Sequence, residues 1–555
     1  MTLHTPSSMN SSPHPTLATI PGAARPRGRT PGVVLIAVLL SGLALQASQP
    51  LNGAPRRPFY IFGHNPNTVQ LVHDDLNRGA NALEPDVSVL ASDICSGDPT
   101  DSRNLVTCDT DVPGCVCSGV TYLLDWLKDL HSNVLAAQRG DVGSNPAYAG
   151  LALVVFDCKT PADVDGNGTN ILNAVRTYLN DGLPTPLNIV LSAPDIASGR
   201  RLFSAFNQAS PDPHAVLRSN EALMIDGEPN VDDVVTYFRS SLGFTGNVAY
   251  GAGSSAGPGA LYAPSLPRRI DRAVWHRAAY NDLQLIPYAY LIPADDMDYY
   301  IDAGVDGIIC KEEDLPTLLL KVLARTDVVI ATPAMNPFTA GPPAAYALEV
   351  TTGTGVGAGT DATLSFSLSS SSSSAVARVD TSAHVATGYD IPASRMESGH
   401  TDCVTIPSGD LGPVLSSLAV FNDGSGLGSD WQFASVTIRS ARWFGACGRI
   451  YTASPGQSVA PRGTGTFPLT ESAGRLEEWV SVNAPAIGAG GGQFNPWPPG
   501  LAYLAYLAAC PGGTVFFSSG NYAGFGRLDK PGRFVRGVGS PFGLYPEPGV
   551  ARLTP

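Results

Sequence analysis

A chain of 555 residues is longer than one hydrophobic core comfortably serves, so two or three domains are expected. Its 43% hydrophobic content fits a folded protein, and a net charge of −14 excludes non-specific nucleic-acid binding, which needs clustered Lys and Arg. The same balance argues against electrostatic adhesion to anionic membranes, so any lipid surface must be zwitterionic, or gripped by apolar groups or a bridging metal.

Residues 1–47 read as a leader and secretory signal. Arg25, Arg27 and Arg29 precede an apolar run from Val33 to Leu45, and small residues follow at Ala47 and Ser48. As a helix that run spans about 20 Å, short of the roughly 30 Å hydrocarbon core. A secreted, extracellular protein is therefore expected. Nine cysteines suit an oxidising compartment. Cys108, Cys115 and Cys117 lie close together without the second pair or histidines of a zinc site, which favours disulfide chemistry. Asn167-Gly168-Thr169 reads as a glycosylation sequon.

From about residue 56 to 326, short β-like runs alternate with amphipathic stretches. The predicted strands are Phe59–Phe62, Ala82–Val87, Leu151–Asp157, Asn188–Ala193, Ala222–Ile225, Asn247–Gly251, Leu285–Tyr290 and Gly307–Cys310. Predicted helices between them include Thr68–Asn77, Val120–His131, Asn170–Asn180, Asp232–Ser241 and Asp314–Ala324. Strand-then-helix units in this number predict an α/β fold, a TIM (β/α)8 barrel. Near residues 339–346 helical periodicity vanishes and alternating runs begin, which predicts a β-sandwich to about residue 452. Within it Ser369–Ser374 reads as a hairpin or loop. Residues 453–555 are rich in Gly and Pro and carry no functional reading.

Three acids end or interrupt apolar strand runs. Glu84 and Asp86 are two apart and so share a face on a strand; Asp157 closes an otherwise apolar run. Polar groups at the C-terminal strand ends of a TIM barrel converge on its active site. Three carboxylates there repel unless a cation neutralises them, and all-oxygen ligation with room for water suits Mg²⁺. His64, just past the first strand, reaches the same mouth as a nucleophile or general acid/base for a phosphodiester. Lys159, two beyond Asp157, is a candidate phosphate-binding cation.

These residues stand in blocks that resemble the sphingomyelinase D/phospholipase D toxin family. The blocks are Gly63-His64, the stretch Gly79 to Val87, Val154 to Thr160, Leu191 to Asp195, Asp302 to Ile308, and Ala331 to Phe338, which looks like the tail motif closing the barrel base. The resemblance implies a catalytic His64, one Mg²⁺ held by Glu84, Asp86 and Asp157, a phosphate-binding Lys159, and Tyr290 as the nearest match to an aromatic wall for choline. It also implies choline release from sphingomyelin or lysophospholipids, often leaving a cyclic phosphate. One departure stands out. Where the family places a second histidine, four residues before a loop cysteine, this chain has Asn104 before Cys108. An amide binds a phosphate but cannot shuttle a proton. A catalytically impaired lipid-binding protein is therefore one alternative reading, and a glycerophosphodiester phosphodiesterase another. The resemblance also pairs Cys108 with Cys115.

Residues 344–440 resemble the PLAT (lipoxygenase-homology) domain through Tyr346 to Gly353, Gly357 to Ala362, Leu418 to Gly426 and Ser429 to Trp431. That implies docking to a membrane surface or a protein partner of unspecified identity, with Ca²⁺ at Asp361, Asn422 and Asp423 as candidates. The expected domains are thus 1–47 leader, 56–338 barrel with tail, 344–452 PLAT-like sandwich and 453–555.

Overall fold

The structure, a computed structural model, describes most of residues 56–480 and short strands between 514 and 554. The longer segments outside the described residues are 1–55, 90–101, 109–120, 254–265, 280–284, 339–344, 380–394, 440–448 and 481–513. The leader, the signal and Cys115 fall among them.

Chain order gives β1 (Arg57–His64), α1 (Val69–Asn77), β2 (Ala82–Glu84), β3 (Asp86–Val89), β4 (Leu105–Thr107) and β5 (Thr121–Tyr122). Then come α2 (Leu123–Arg139), β6 (Leu153–Cys158), α3 (Asn167–Val175), β7 (Asn188–Ala193), α4 (Ile196–Leu202), β8 (Glu221–Asp226) and α5 (Val231–Thr236). The unit ends with β9 (Val248–Gly253), α6 (Leu266–Ala279), β10 (Leu285–Tyr290), α7 (Met297–Ala303), β11 (Gly307–Cys310), α8 (Leu315–Leu323) and β12 (Val328–Ile330). Strand β1 pairs in parallel with both β11 and β2, and the remaining strands pair in parallel around the ring, so the eight-stranded barrel closes. Strands β2 and β3 form one barrel position, interrupted at Pro85, which has no N–H to give the ladder.

Side-chain alternation builds two cores. On β1, Tyr60 and Phe62 point into the barrel while Phe59 and Ile61 face the helices. On α2, Leu123, Trp126, Leu127, Leu130 and Val134 are buried at helical spacing. Each fully buried large apolar side chain of this kind contributes about 1.5–3 kcal/mol. The tail after β12 closes the N-terminal end of the barrel. Tyr60 Oη and Asn188 Nδ2 donate to the Met335 carbonyl at 3.1 and 3.2 Å, and Ala331 and Phe338 join the interior core.

A buried ion pair ties α3's extension to the start of β8. Arg176 donates to Glu221 at 2.7 and 2.5 Å, and both side chains are nearly inaccessible. Arg176→Leu strands the carboxylate, so it is expected to cost about 3–5 kcal/mol, read by urea unfolding. A cost under 1 kcal/mol would show that Glu221 finds water or protonates freely.

The second unit of structure is an antiparallel sandwich of β13 (Ala345–Thr352), β14 (Leu364–Ser370), β15 (Ser374–Val379), β16 (Thr401–Pro407), β17 (Leu415–Asn422), β18 (Trp431–Arg439), β19 (Arg449–Ala453), β20 (Gln457–Val459) and β21 (Thr464–Arg475). One layer runs β16-β13-β18-β19 and the other β15-β14-β17; β21 pairs with both β17 and β19 and joins them. Alternate residues such as Leu364, Phe366 and Leu368 fill the core around Trp431. The serine run is the β14–β15 hairpin turn, with Ser370 N donating to the Ser373 carbonyl at 2.8 Å. The sheet continues through Arg475, past the boundary of 452 read from composition, because β21 carries its pairing in a Gly- and Thr-rich stretch with little apolar signal.

The sequon reading is corrected here. Asn167 is fully buried at the start of α3 and donates to the Ala162 carbonyl at 2.8 Å, so no glycan fits.

Candidate active site

The site forms where β1, β2, β3 and β6 end. Ligand oxygens of Glu84, Asp86 and Asp157 all lie within 4.8 Å of one another, and all three residues are buried. Register explains the convergence: Asp86 is the Cα partner of Asp157 across β3 and β6, and His64 is the partner of Glu84 across β1 and β2. Immediately after His64 the chain turns through Asn65, which holds a positive φ of 54° that asparagine tolerates. The Asn65 amide donates to the Glu84 carbonyl at 3.1 Å, which fixes the turn against the cluster.

Lys159 lies against two of the acids, its ammonium 2.9 Å from Asp86 Oδ1 and 2.8 Å from Asp157 Oδ2. Burial opposes its charge, but Asp157 and Asp86 outweigh that and hold its pKa above the usual lysine value. The carboxylates move up. Burial, then Asp157 and Asp86, push Glu84 well above the usual range; burial pushes Asp86 up to about 6 despite Lys159. One lysine does not neutralise three buried acids. Asp157 Oδ1 is buried with no hydrogen-bond partner among the described residues. An all-oxygen donor set with excess negative charge and an unsatisfied oxygen fits a hard divalent cation.

Several residues at this mouth escaped the sequence reading. Asn67 Nδ2 donates to Asp86 Oδ2 at 2.7 Å and its Oδ1 accepts from Asp86 N at 2.9 Å, so it locks that carboxylate's orientation. Asp226 ends β8, half-buried at the close of an apolar strand, and desolvation followed by Asp157 pushes it up to about 7. The signal that singled out Asp157, an acid closing an apolar run, also marks Asp226, one residue past the predicted strand Ala222–Ile225. Gly251 and Gly253 make room here. A Cβ on Gly251 would lie 2.4 Å from Asp226 Oδ1, and one on Gly253 would lie 2.2 Å from the Tyr290 ring. Tyr290 thus stands at the end of β10 with Asp226 acting on it.

Asn104 is placed differently. It closes a short helical turn just before Leu105, whose partner Val89 lies about 10 Å beyond Asp86 along β3 at ~3.3 Å per residue. Cys108 is disulfide-bonded, and Cys158 is a free, buried thiol whose burial raises its pKa. In the sandwich, Asn422 is buried with Oδ1 accepting from Gly424 N at 2.9 Å, and Asp423 Oδ1 accepts from Thr363 N and Ser425 N at 3.0 and 2.8 Å. Both act as turn residues. Asp361 is half-buried, and the acidic metal-ligand cluster found among the described residues is the barrel's own.

Three raised acids give a stability prediction. Asp75, buried behind Gly63 with Oδ2 lacking a partner among the described residues, is pushed up to about 7 by burial. With Asp86 and Asp226 its folded pKa exceeds the ordinary value near 4. These groups therefore bind protons in the folded state and favour folding below pH 4, an effect lost as pH rises through 6–7. Asp75→Asn is expected to flatten the fall in melting temperature between pH 5 and 8 in metal-free protein. An unchanged slope would show that Asp75 is solvated.

A parallel barrel with its acids and histidine at the C-terminal strand mouth defines the class, a (β/α)8-barrel phosphodiesterase. The model of the dermonecrotic toxin SPH family matches residues 54–338, and the chain belongs to that family, whose enzymes are of the sphingomyelinase D type. Among its relatives, the dermonecrotic toxin LgSicTox-alphaIA1 of Loxosceles gaucho is 28% identical over 294 residues, covering 51% of this chain and 97% of the toxin. A glycerophosphoryl diester phosphodiesterase structure from Silicibacter pomeroyi covers 50% of this chain and 97% of its own, at 15% identity and a TM-score of 0.29. A coral 8R-lipoxygenase structure covers 23% of this chain and 17% of its own, at 23% identity and a TM-score of 0.19. Neither structural likeness is large enough to bear on function. Among the described residues no helix is long and apolar enough to cross a membrane.

Proposed function

We propose that the chain is a secreted, Mg²⁺-dependent phosphodiesterase that releases choline from sphingomyelin or a lysophospholipid. The observation that carries this reading is the buried Glu84–Asp86–Asp157 cluster, with His64 the strand partner of Glu84. These three carboxylates would hold the Mg²⁺, which supplies positive charge for the phosphodiester oxygens. Asn67 keeps Asp86 oriented toward that position. Lys159 would hold a non-bridging phosphate oxygen, and His64 would take the proton of the attacking hydroxyl. That hydroxyl is a lipid's own in the cyclising route or water's in hydrolysis; its oxygen bonds to phosphorus as the bond to the choline oxygen breaks, and the proton taken from the hydroxyl is balanced by one delivered to the departing choline oxygen. Tyr290 and Asp226 offer an aromatic face and a carboxylate to the quaternary ammonium.

The PLAT-like sandwich would dock the enzyme on a zwitterionic lipid surface and raise the local substrate concentration. Fully exposed Val356 on the turn after β13 offers an apolar contact. Asn104 supports the second reading, a lipid-binding protein with impaired turnover. Closure of the barrel base by the tail through Met335 supports a sphingomyelinase D arrangement over a glycerophosphodiesterase. The test is choline release from sphingomyelin vesicles with phosphorus NMR of the product. Release with a cyclic or monoester phosphate is expected. Vesicle binding without release leaves the binding-protein reading, and release from glycerophosphocholine alone leaves the third.

A further inference from the structure

Helix α6 has two faces with different owners. Toward the barrel, Ile270, Ala273 and Val274 sit in the core, and Arg269, only 6% exposed, is buried on the same helix, its charge acting on Tyr250 and on Asp226 at the mouth. Away from the barrel, a stripe at helical spacing meets the sandwich. Arg268 donates to Asp402 at 2.9 Å and to the Thr401 carbonyl at 3.0 Å. Asp271 is gripped in bidentate fashion by Arg395 at 2.5 and 2.7 Å, with both side chains nine-tenths buried or more. Arg272 donates to Glu349 at 2.7 Å and stacks 4.3 Å over the Trp275 ring. Trp275 and Ala279 pack on Ala347 of β13. Arg395 also lies 4.4 Å over the ring of Tyr299, so it ties α6 to α7.

Arg272 also donates to Asp232 of α5 at 2.8 and 3.1 Å, but Arg268 and Asp271 find partners in β16 and the segment before it. A barrel alone would leave Asp271 and Trp275 facing solvent. We propose that the β-sandwich is part of the catalytic unit: it clamps α6, which packs on β9 and β10, and so holds Arg269, a positioning residue, beside the strands that carry Gly251 and Tyr290 to the mouth. This rests on the barrel mouth being the active site. Arg395 and Arg269 act through one helix, two residues apart at the Asp271 contact. A small shift of that helix moves Arg269 relative to Asp226 and the Tyr290 ring.

The test uses the full chain and the variants Arg395→Gln, Arg395→Lys, Arg269→Gln and the double Arg395→Gln/Arg269→Gln. Choline release gives kcat and KM, melting gives stability, and hydrogen exchange follows the amides of residues 266–279. Arg395→Gln is expected to lower kcat/KM about tenfold, since misplacement by a fraction of an ångström suffices, and to speed exchange in 266–279. Arg395→Lys, which keeps the charge but loses the two-pronged grip, should recover only part of the loss. The double variant should be no worse than Arg269→Gln alone, because both changes break one chain of contacts. A folded Arg395→Gln protein with full kcat/KM, or losses that multiply in the double variant, would overturn the clamp. Should Arg395→Gln fail to fold, Arg268→Gln, whose side chain is partly exposed, takes its place in the cycle. A wild-type protein that releases no choline defeats the substrate reading, whereas unchanged exchange of 266–279 in Arg395→Gln defeats the clamp independently.

Discussion

His64→Ala is expected to lower kcat by about 10²–10⁴-fold, the usual worth of a positioned acid/base group. KM should change little, because the imidazole bears on proton transfer more than on holding the lipid. The position of His64 makes the expectation specific. It closes β1 opposite Glu84, and the following turn is pinned by Asn65 to the Glu84 carbonyl, so the residue stands at the same strand-end mouth as the acids. Removing it leaves that turn's backbone bonds in place, so the melting temperature should stay within a few degrees. A variant that retains turnover would move the proton-transfer role elsewhere. A variant that unfolds is replaced by His64→Asn, which keeps a polar group of similar reach.

Asp157→Asn should show two effects of opposite sign. Turnover falls by about 10²–10³-fold at ordinary Mg²⁺, since metal stabilisation of the transition state is worth several kcal/mol and each 1.4 kcal/mol is tenfold. Stability of the metal-free protein rises, because Asp157 is a cause of the raised pKa values of Glu84, Asp86 and Asp226. An amide at that position removes the repulsion while retaining the shape. Loss of activity together with loss of stability would mean that Asp157 serves chiefly as a partner for Lys159. The paired measurement separates a ligand from a structural ion-pair member, which a rate alone does not.

The strands were legible because barrel strands are apolar on both faces: Asn188–Ala193, Leu285–Tyr290 and Gly307–Cys310 coincide with observed elements. The acids were legible for the converse reason, since a charge inside such a run needs a purpose. Asn67 was not, because loop amides carry no periodic signal and its meaning lies in reaching Asp86. Helix α6 was missed for a tertiary reason. Its Arg268, Asp271, Arg272 and His276 look solvated in sequence, yet they face ion-pair partners that lie on α5 and more than a hundred residues later in the sandwich. The buried Asn167 misled in the other direction, as a three-residue pattern says nothing about burial.

Whether the barrel mouth gathers a divalent ion is settled most directly by titrating Mn²⁺ into the purified, metal-free chain under electron paramagnetic resonance, with Mg²⁺ as competitor. One Mn²⁺ per chain is expected in the wild type, displaced by Mg²⁺ and lost when Glu84→Gln, Asp86→Asn and Asp157→Asn are combined. Undiminished binding in that triple variant would contradict the assignment of these oxygens as ligands.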